Sequence, residues 1–180
     1  MGVEAEDAYL VARAREGSLD AFEQLVHRHN AAAYRIALRM LGNEGDAQAV
    51  AQDIAQAALV LAWKNLAQLP RDTSFALWLD GTVSRATLDR LASQRAAGNA
   101  GTRRGSTPEG VADRPSSVAA ALTALPPAQR MVLVLHHFEG LSYADVATVT
   151  GRSVLDVRRL LFGARRTLAA TLGQWEVAAQ

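Results

Sequence analysis

The chain has 180 residues, 49% of them hydrophobic, and a formal net charge of +1. These values are typical of one or two small globular domains, and they exclude a protein coated in basic residues. The absence of cysteine excludes disulfides and thiolate metal sites. We expect no signal peptide and no membrane insertion, because no apolar run is long enough to span a bilayer, and therefore a cytoplasmic protein.

Four helices are predicted in the first half of the chain, over about residues 5–16, 19–41, 47–66 and 75–96. Gly17 and Ser18 separate the first two, because glycine suits a helix end and serine can cap the next helix. Before the fourth helix, Asp72, Thr73 or Ser74 can act as the cap. Apolar residues at spacings of three and four are expected to face the core. They are Phe22, Leu25, Val26, Ala33, Ala37, Leu38, Leu41, Val50, Ile54, Ala58, Leu61, Phe75, Trp78, Leu79, Val83 and Leu91.

The composition changes over residues 96–117, where Gly, Ser, Pro and Arg replace apolar residues. This change predicts a flexible linker or domain boundary. A short helix is expected over 118–125, and Pro126 and Pro127 suit the first turn of another. No segment has the pattern of a strand. We therefore expect an all-α protein with a four-helix domain over 1–95, a linker over 96–117 and a helical domain over 118–180.

Residues 141–171 have the pattern of a helix-turn-helix. Ser142 and Ser153 each precede a helical apolar pattern and are followed three residues later by an aspartate, which is the spacing of a capping box. Gly151 lies between the two helices, where a left-handed helix end requires glycine. A short helix, a glycine turn and a longer second helix are typical of DNA-binding domains.

The second helix of this motif has two different faces. Its apolar residues are expected to face the core: Val157, Leu160 or Leu161, Ala164 and Leu168. The opposite side carries Arg158, Arg159 and Phe162, with Arg165 and Arg166 one turn further on. Arginine offers a planar fork of donors that fits phosphates and guanine edges. This face predicts DNA contact; the alternative is a solvated basic face on an ordinary helical hairpin.

Four segments, in order, resemble the extracytoplasmic-function sigma factors of bacterial RNA polymerase. The first begins EGSLDAFEQL, similar to the Gly-polar-x-x-Ala-Phe start of the family. The second, AQDIAQAALVLAWKNL, resembles an Ala-Glu-Asp-Leu-x-Gln helix that ends in Ala-Trp, and the third, FALWLDGTVSRATLD, resembles a Phe-x-x-Trp-Leu segment. The fourth, LPPAQRMVLVLHHFEGLSY, resembles the region with Leu-Pro before a helix and Gly-Leu-Ser-Tyr opening the helix-turn-helix.

The resemblance implies that the first domain docks on the polymerase clamp and opens the −10 promoter element. It implies that the last domain reads the −35 element as duplex, near the flap, and that no cofactor is needed. An anti-sigma partner is also expected. The implied polymerase-binding residues are Gln52, Asp53 and Gln56. The implied −10 residues are Arg71, Asp72, Thr73, Ser74, Phe75, Trp78 and Arg85, although Phe75 and Trp78 also suit a plain core. The implied −35 residues are Ser153, Arg158, Arg159, Phe162, Arg165 and Arg166.

Several residues depart from the family pattern. Ala57 stands where an acidic residue is usual, and Asp80 and Gly81 stand where aromatic or basic residues are usual. An acidic side chain beside DNA weakens phosphate contact, so the −10 surface is expected to be atypical. These departures motivate one alternative, a sigma-like decoy that occupies an anti-sigma partner. A second alternative is a stand-alone helix-turn-helix repressor, which would need a dimer and would leave the first domain unexplained.

No catalytic residue set or phosphate-binding loop stands out, so no enzyme activity is expected. His27 and His29 fall on different helix faces, and His136 and His137 are adjacent. Neither spacing makes a good chelate without further ligands, so no metal site is expected.

Overall fold

The structure is a computed structural model that describes residues 3–42, 47–69, 73–101 and 118–178. These residues form α-helices and no strand, which confirms the all-α fold. The helices are α1 (Val3–Arg15), α2 (Leu19–Leu41), α3 (Ala47–Asn65), α4 (Phe75–Gly101), α5 (Val118–Ala124), α6 (Pro127–Leu133), α7 (Tyr143–Thr150) and α8 (Val154–Ala178). A 3-10 turn (Leu66–Gln68) follows α3, and a π-helical turn (Val134–Phe138) follows α6.

The first four helices pack around α2, which contacts α1, α3 and α4. As predicted, Ser18 caps α2: its hydroxyl accepts a hydrogen bond of 3.3 Å from the backbone N–H of Ala21. Of the three cap candidates before α4, the structure selects Ser74, whose hydroxyl accepts from the N–H of Leu77 at 3.2 Å. These local bonds satisfy N–H groups that lack a partner in the first turn of a helix.

Most predicted core positions are buried or half-buried, but one prediction was wrong and several buried residues were not predicted. Leu61 was expected to face inward but is 44% exposed, and Leu59 is buried instead. The prediction for Leu61 was wrong because α3 is apolar on most of its circumference, so spacing alone does not identify its inner face. Ile36 and Met40 of α2 are fully buried although the predicted core did not include them.

The helix-turn-helix forms as predicted. Ser142 and Asp145 make a reciprocal capping box at the start of α7. Gly151 ends α7 with a φ of 64°, in the left-handed region that favours glycine. At the start of α8, the hydroxyl of Ser153 accepts from the N–H of Asp156 at 3.1 Å. The motif packs on α6 and the π-helical turn through buried residues of α8 that include Val157, Leu161 and Ala164.

The two halves of the chain pack directly on each other. Helix α4 contacts α7 and α6, and α2 contacts α5, α6 and the π-helical turn. Buried residues of both halves form a single hydrophobic core. Helix α4 also continues past Ala96 to Gly101, so the first residues of the predicted linker, 96–101, are helical. The remainder of the predicted linker, 102–117, lies outside the described residues. In the described part of the chain, no helix is long and apolar enough to cross a membrane.

Candidate nucleic-acid and polymerase interfaces

The outer face of α8 is basic and exposed. Arg158, Arg159, Arg165 and Arg166 are all exposed, and Phe162 is 67% exposed between them. Ser153, at the N-terminus of the helix, is exposed as well. The structure thus brings the six residues implied for −35 binding onto one helix, with most of their polar groups accessible. The core-facing residues lie on the opposite side, as the spacing predicted.

Neighbouring side chains contact two of these arginines, Arg158 and Arg165. The guanidinium of Arg158 lies 5.6 Å from the ring centroid of Tyr143 in α7. Arg165 donates to Nε2 of His137 at 3.1 Å. Burial, together with the charges of Arg165 and His136, lowers the pKa of His137. A neutral His137 can accept this hydrogen bond, so Arg165 is held without a competing negative charge.

The proposed −10 surface at the start of α4 is only partly described. Arg71 and Asp72 lie outside the described residues, Thr73 is half-buried and Ser74 is exposed. Phe75 is 2% exposed and therefore supports this region from the core; as it stands, it is not accessible to DNA. Trp78 is half-buried and Arg85 is exposed, and both line an open cavity of about 570 Å³ between α3, α4 and α7.

Side chains from α1 and α2 contact the segment that precedes α4 and the buried ring of Phe75. Nε of Arg15 donates to the carbonyl oxygen of Leu66 at 2.9 Å, and its Nη2 donates to the carbonyl oxygen of Leu69. His29 lies 2.7 Å from a carboxylate oxygen of the buried Asp7, and its ring centroid is 5.3 Å from that of Phe75. Sequence reasoning missed these contacts, because each joins residues that are distant in the chain.

The three residues implied for polymerase binding share the exposed side of α3. Gln52, Asp53 and Gln56 are all exposed. Val60, one turn beyond Gln56, is 54% exposed, and Trp63 is 36% exposed. The polar groups are thus followed by an apolar surface on the same helix. A surface of mixed polarity that includes large apolar side chains is typical of a protein-binding face.

Several side-chain contacts connect the two halves of the chain. Glu139, after the π-helical turn, accepts a hydrogen bond from Arg39 of α2 at 2.6 Å and a weaker one from Arg35 at 3.4 Å. Arg39 also lies 4.6 Å from the ring centroid of Phe138. Arg130 of α6 is 4% exposed and donates to the carbonyl oxygen of Met40 at 2.5 Å.

Asp80 of α4 lies in the same contact region and is 9% exposed. Burial and, to a lesser extent, the negative charge of Glu139 raise the pKa of Asp80 to about 7, although the positive charge of Arg35 opposes the shift. The carboxylate that departs from the family pattern is therefore directed into the contact between the two halves. It is not placed as an exposed group that would repel DNA.

Two family models match the chain, and together they span both halves. Residues 25–97 match sigma-70 region 2, and residues 116–168 match sigma-70 region 4. The chain is thus a two-region sigma-type transcription factor. The region 2 match covers α3 and most of α2 and α4, and the region 4 match covers α5 to α7 and the first part of α8, whereas α1 precedes both matches.

Relatives match along nearly the whole chain. The chain is 31% identical to the ECF RNA polymerase sigma factor SigM of Mycobacterium tuberculosis, over 94% of this chain and 86% of SigM. It is 28% identical to the RNA polymerase sigma-H factor of Pseudomonas aeruginosa, over 96% of each. A solved structure of CnrH in complex with the cytosolic domain of CnrY has 29% identity and a TM-score of 0.71, covering 94% of this chain and 98% of CnrH.

The chain therefore belongs to the ECF sigma factor family of bacterial RNA polymerase. It is a factor for promoter-specific transcription initiation, which is a regulatory function. The match to region 2 argues against the alternative of a stand-alone repressor, because that interpretation leaves the N-terminal domain without a function.

Proposed function

We infer that this sigma factor reads the −35 element with the exposed face of α8 and the −10 element with the start of α4. The observation that carries the −35 assignment is the placement of Arg158, Arg159 and Phe162 together on the outer side of a capped helix-turn-helix helix. Arginines on such a helix reach phosphates and base edges in the major groove. Ser153, Arg165 and Arg166 extend the same face.

For the −10 element, an unstacked base needs a pocket and the strand needs a basic track. The cavity beside Trp78 supports the first requirement, and Arg85 at its rim supports the second. Arg71, Asp72, Thr73 and Ser74 complete the proposed surface, with Phe75 beneath it. Polymerase docking is assigned to Gln52, Asp53 and Gln56 on α3, which fits their shared exposure.

The functional halves are assigned to residues 1–95 and 118–180, joined by 96–117. The chain would act in the cytoplasm, contact the clamp and flap of core polymerase, and carry no catalytic activity of its own. An anti-sigma protein is a further proposed partner, since the similar protein CnrH was solved with the cytosolic domain of CnrY. The departures at Ala57 and Gly81 keep the decoy as the competing proposal, whereas the buried Asp80 no longer argues for it.

Transcription from a promoter library with purified core polymerase separates these proposals. Promoter-specific transcripts that depend on the added protein would support the initiation factor. Protein that binds core polymerase without producing transcripts would indicate intact docking with defective promoter opening. Protein that neither binds core polymerase nor produces transcripts would favour the decoy.

Single substitutions then test the surfaces. Arg158→Ala should weaken −35-dependent binding by about 1–3 kcal/mol if the side chain reads a base, and evenly across sequences if it contacts phosphate. Arg13→Ala is the matched control, because Arg13 is an exposed arginine of α1 whose partner in the described structure is Glu16. For docking, Asp53→Lys should weaken core binding, whereas Glu23→Lys on α2 should not. An Arg158→Ala variant with unchanged binding in both DNA assays would remove Arg158 from the −35 site.

A further inference from the structure

An exposed leucine lies on the basic face of α8, close to the N-terminus of the helix. Leu155 is the second residue of α8 and is 56% exposed. Residues three, four and seven positions apart share one side of a helix. By this spacing, Leu155 shares its side with the exposed residues Arg158, Arg159 and Phe162. Leu155 therefore belongs to the surface proposed to read the −35 element, although it brings no charge and no hydrogen-bonding group to it.

The polar side chains at the start of α8 are bonded to one another. The hydroxyl of Ser153 donates to a carboxylate oxygen of Asp156 at 2.6 Å and accepts from the backbone N–H of Asp156 at 3.1 Å. The other carboxylate oxygen of Asp156, which is half-buried, lies 3.8 Å from Nη1 of Arg159. A hydroxyl has one proton, so Ser153 has no donor left for a base edge while it caps the helix. Leu155 is therefore the side chain with which this turn can meet a base without breaking the cap.

The position of Leu155 decides what it can contact, because the N-terminal residues of a recognition helix are those that reach base edges. In the major groove, the C5-methyl group of thymine is an apolar group, whereas the other base edges present donors and acceptors. A leucine against a donor or acceptor displaces water without replacing its hydrogen bond, which costs free energy. A leucine against a thymine methyl group instead buries apolar surface of both partners. Leu155 is therefore suited to thymine and unsuited to a polar base edge.

The surroundings of Leu155 favour a duplex as its partner. Arg158 and Arg159 follow one turn later and are both exposed, so the leucine is presented on a surface whose charge complements phosphates. Phe162 lies seven residues from Leu155, which is about 10 Å along a helix and roughly three base-pair steps. The two apolar side chains would therefore reach different base pairs, and the contribution of Leu155 can be measured by itself.

We propose that Leu155 is a specificity-determining residue of this sigma factor, which selects −35 elements that present a thymine methyl group to the start of α8. The arginines of the same face bind the duplex, whereas the leucine discriminates among sequences, because the phosphates are the same in every sequence. The inference rests on the proposed assignment of the −35 element to α8. It adds to that assignment the base that the first turn of the helix reads.

Replacing thymine with uracil tests this proposal directly, because the exchange removes the C5-methyl group and keeps the base pair. The full-length chain, bound to core polymerase, would first select its preferred promoters from a library. Each thymine of the preferred −35 element, on either strand, would then be replaced singly by uracil, and binding of the assembled polymerase to the duplex would be measured. At one of these thymines, uracil should weaken binding about fourfold, which is the effect of one buried methyl-sized group.

The same measurement with Leu155→Ala assigns the methyl contact to its side chain. This variant should bind the thymine duplex at least about fourfold more weakly than the natural chain and should no longer distinguish thymine from uracil at that position. A change that merely destabilised α8 would weaken binding to both duplexes equally and would keep the distinction. Leu19→Ala is the matched control, because Leu19 is a 66% exposed leucine in the first turn of α2, which Ser18 caps. It should leave both affinities unchanged.

Three results would overturn the proposal: a preferred −35 element without any A·T pair, binding that no uracil replacement changes, or a Leu155→Ala variant that keeps the full preference for thymine. If that variant keeps the preference and also binds core polymerase more weakly, Leu155 faces the polymerase instead of the duplex. Failure of the proposed function gives a different pattern. If α8 does not read the −35 element at all, the library yields no preferred −35 sequence and both proposals fall. If only the role of Leu155 is wrong, a preferred sequence is found and Leu155→Ala treats thymine and uracil as the natural chain does.

Discussion

Replacing Asp80 with asparagine should make the folded chain more stable at neutral and alkaline pH. Asparagine has nearly the same shape as aspartate but does not ionise. In the folded chain, burial and the charge of Glu139 raise the pKa of Asp80 from 3.8 to about 7. The folded state therefore binds a proton between about pH 4 and pH 7 that the unfolded chain releases. The contribution of protonated Asp80 to the free energy of unfolding is fully present below pH 4 and is lost as the pH rises through about 7.

The size of the effect follows from the difference between the two pKa values. Each tenfold change in proton affinity corresponds to about 1.4 kcal/mol, so ionised Asp80 costs about 4 kcal/mol at pH 8. Because Asp80 is only 9% exposed, solvent screens this cost weakly. Asp80→Asn should accordingly raise the free energy of unfolding by about 2–4 kcal/mol at pH 8, with a difference near zero at pH 4.

Urea unfolding of both proteins at a series of pH values between 4 and 8 measures this difference. The control is Asp89→Asn, which neutralises an exposed carboxylate further along the same helix. It should change stability little at every pH. A difference between Asp80→Asn and the natural chain that does not vary with pH would refute the reasoning, as would a less stable variant at pH 8.

Three further substitutions test the caps, the contact between the halves and the exposed face of α8. Ser142→Ala removes the capping box of α7 and should lower stability by about 0.5–2 kcal/mol in urea unfolding; unchanged stability would mean that the box contributes nothing. Arg130→Met keeps an apolar stem but leaves buried carbonyls without a donor, so a loss of about 3 kcal/mol is expected, and a neutral result would contradict the role of Arg130 at the end of α2. Phe162→Ala should leave stability unchanged, because the ring is exposed, yet weaken −35 duplex binding, because an apolar side chain in the major groove can contact a thymine methyl group; equal DNA binding would remove Phe162 from the interface.

The helix-turn-helix was predictable because its signals are local. A serine and an aspartate three residues apart satisfy the first turn of a helix, and a left-handed turn favours glycine, whatever the rest of the chain does. Ser142, Asp145 and Gly151 behave in this way. The two faces of α8 also follow from helical spacing, so its core side and its basic side could both be identified in advance.

The contacts of α3, α4 and the interface between the halves were decided by tertiary structure. Spacing does not distinguish Leu59 from Leu61 on a helix that is apolar on most sides. The pairing of Arg39 with Glu139 joins residues 100 positions apart. The raised pKa of Asp80 likewise depends on burial against a distant part of the chain. Local chemistry determined the helices, their caps and the basic face of α8, whereas the packing of distant helices decided which surfaces are covered, because a helical period specifies a face but not its partner.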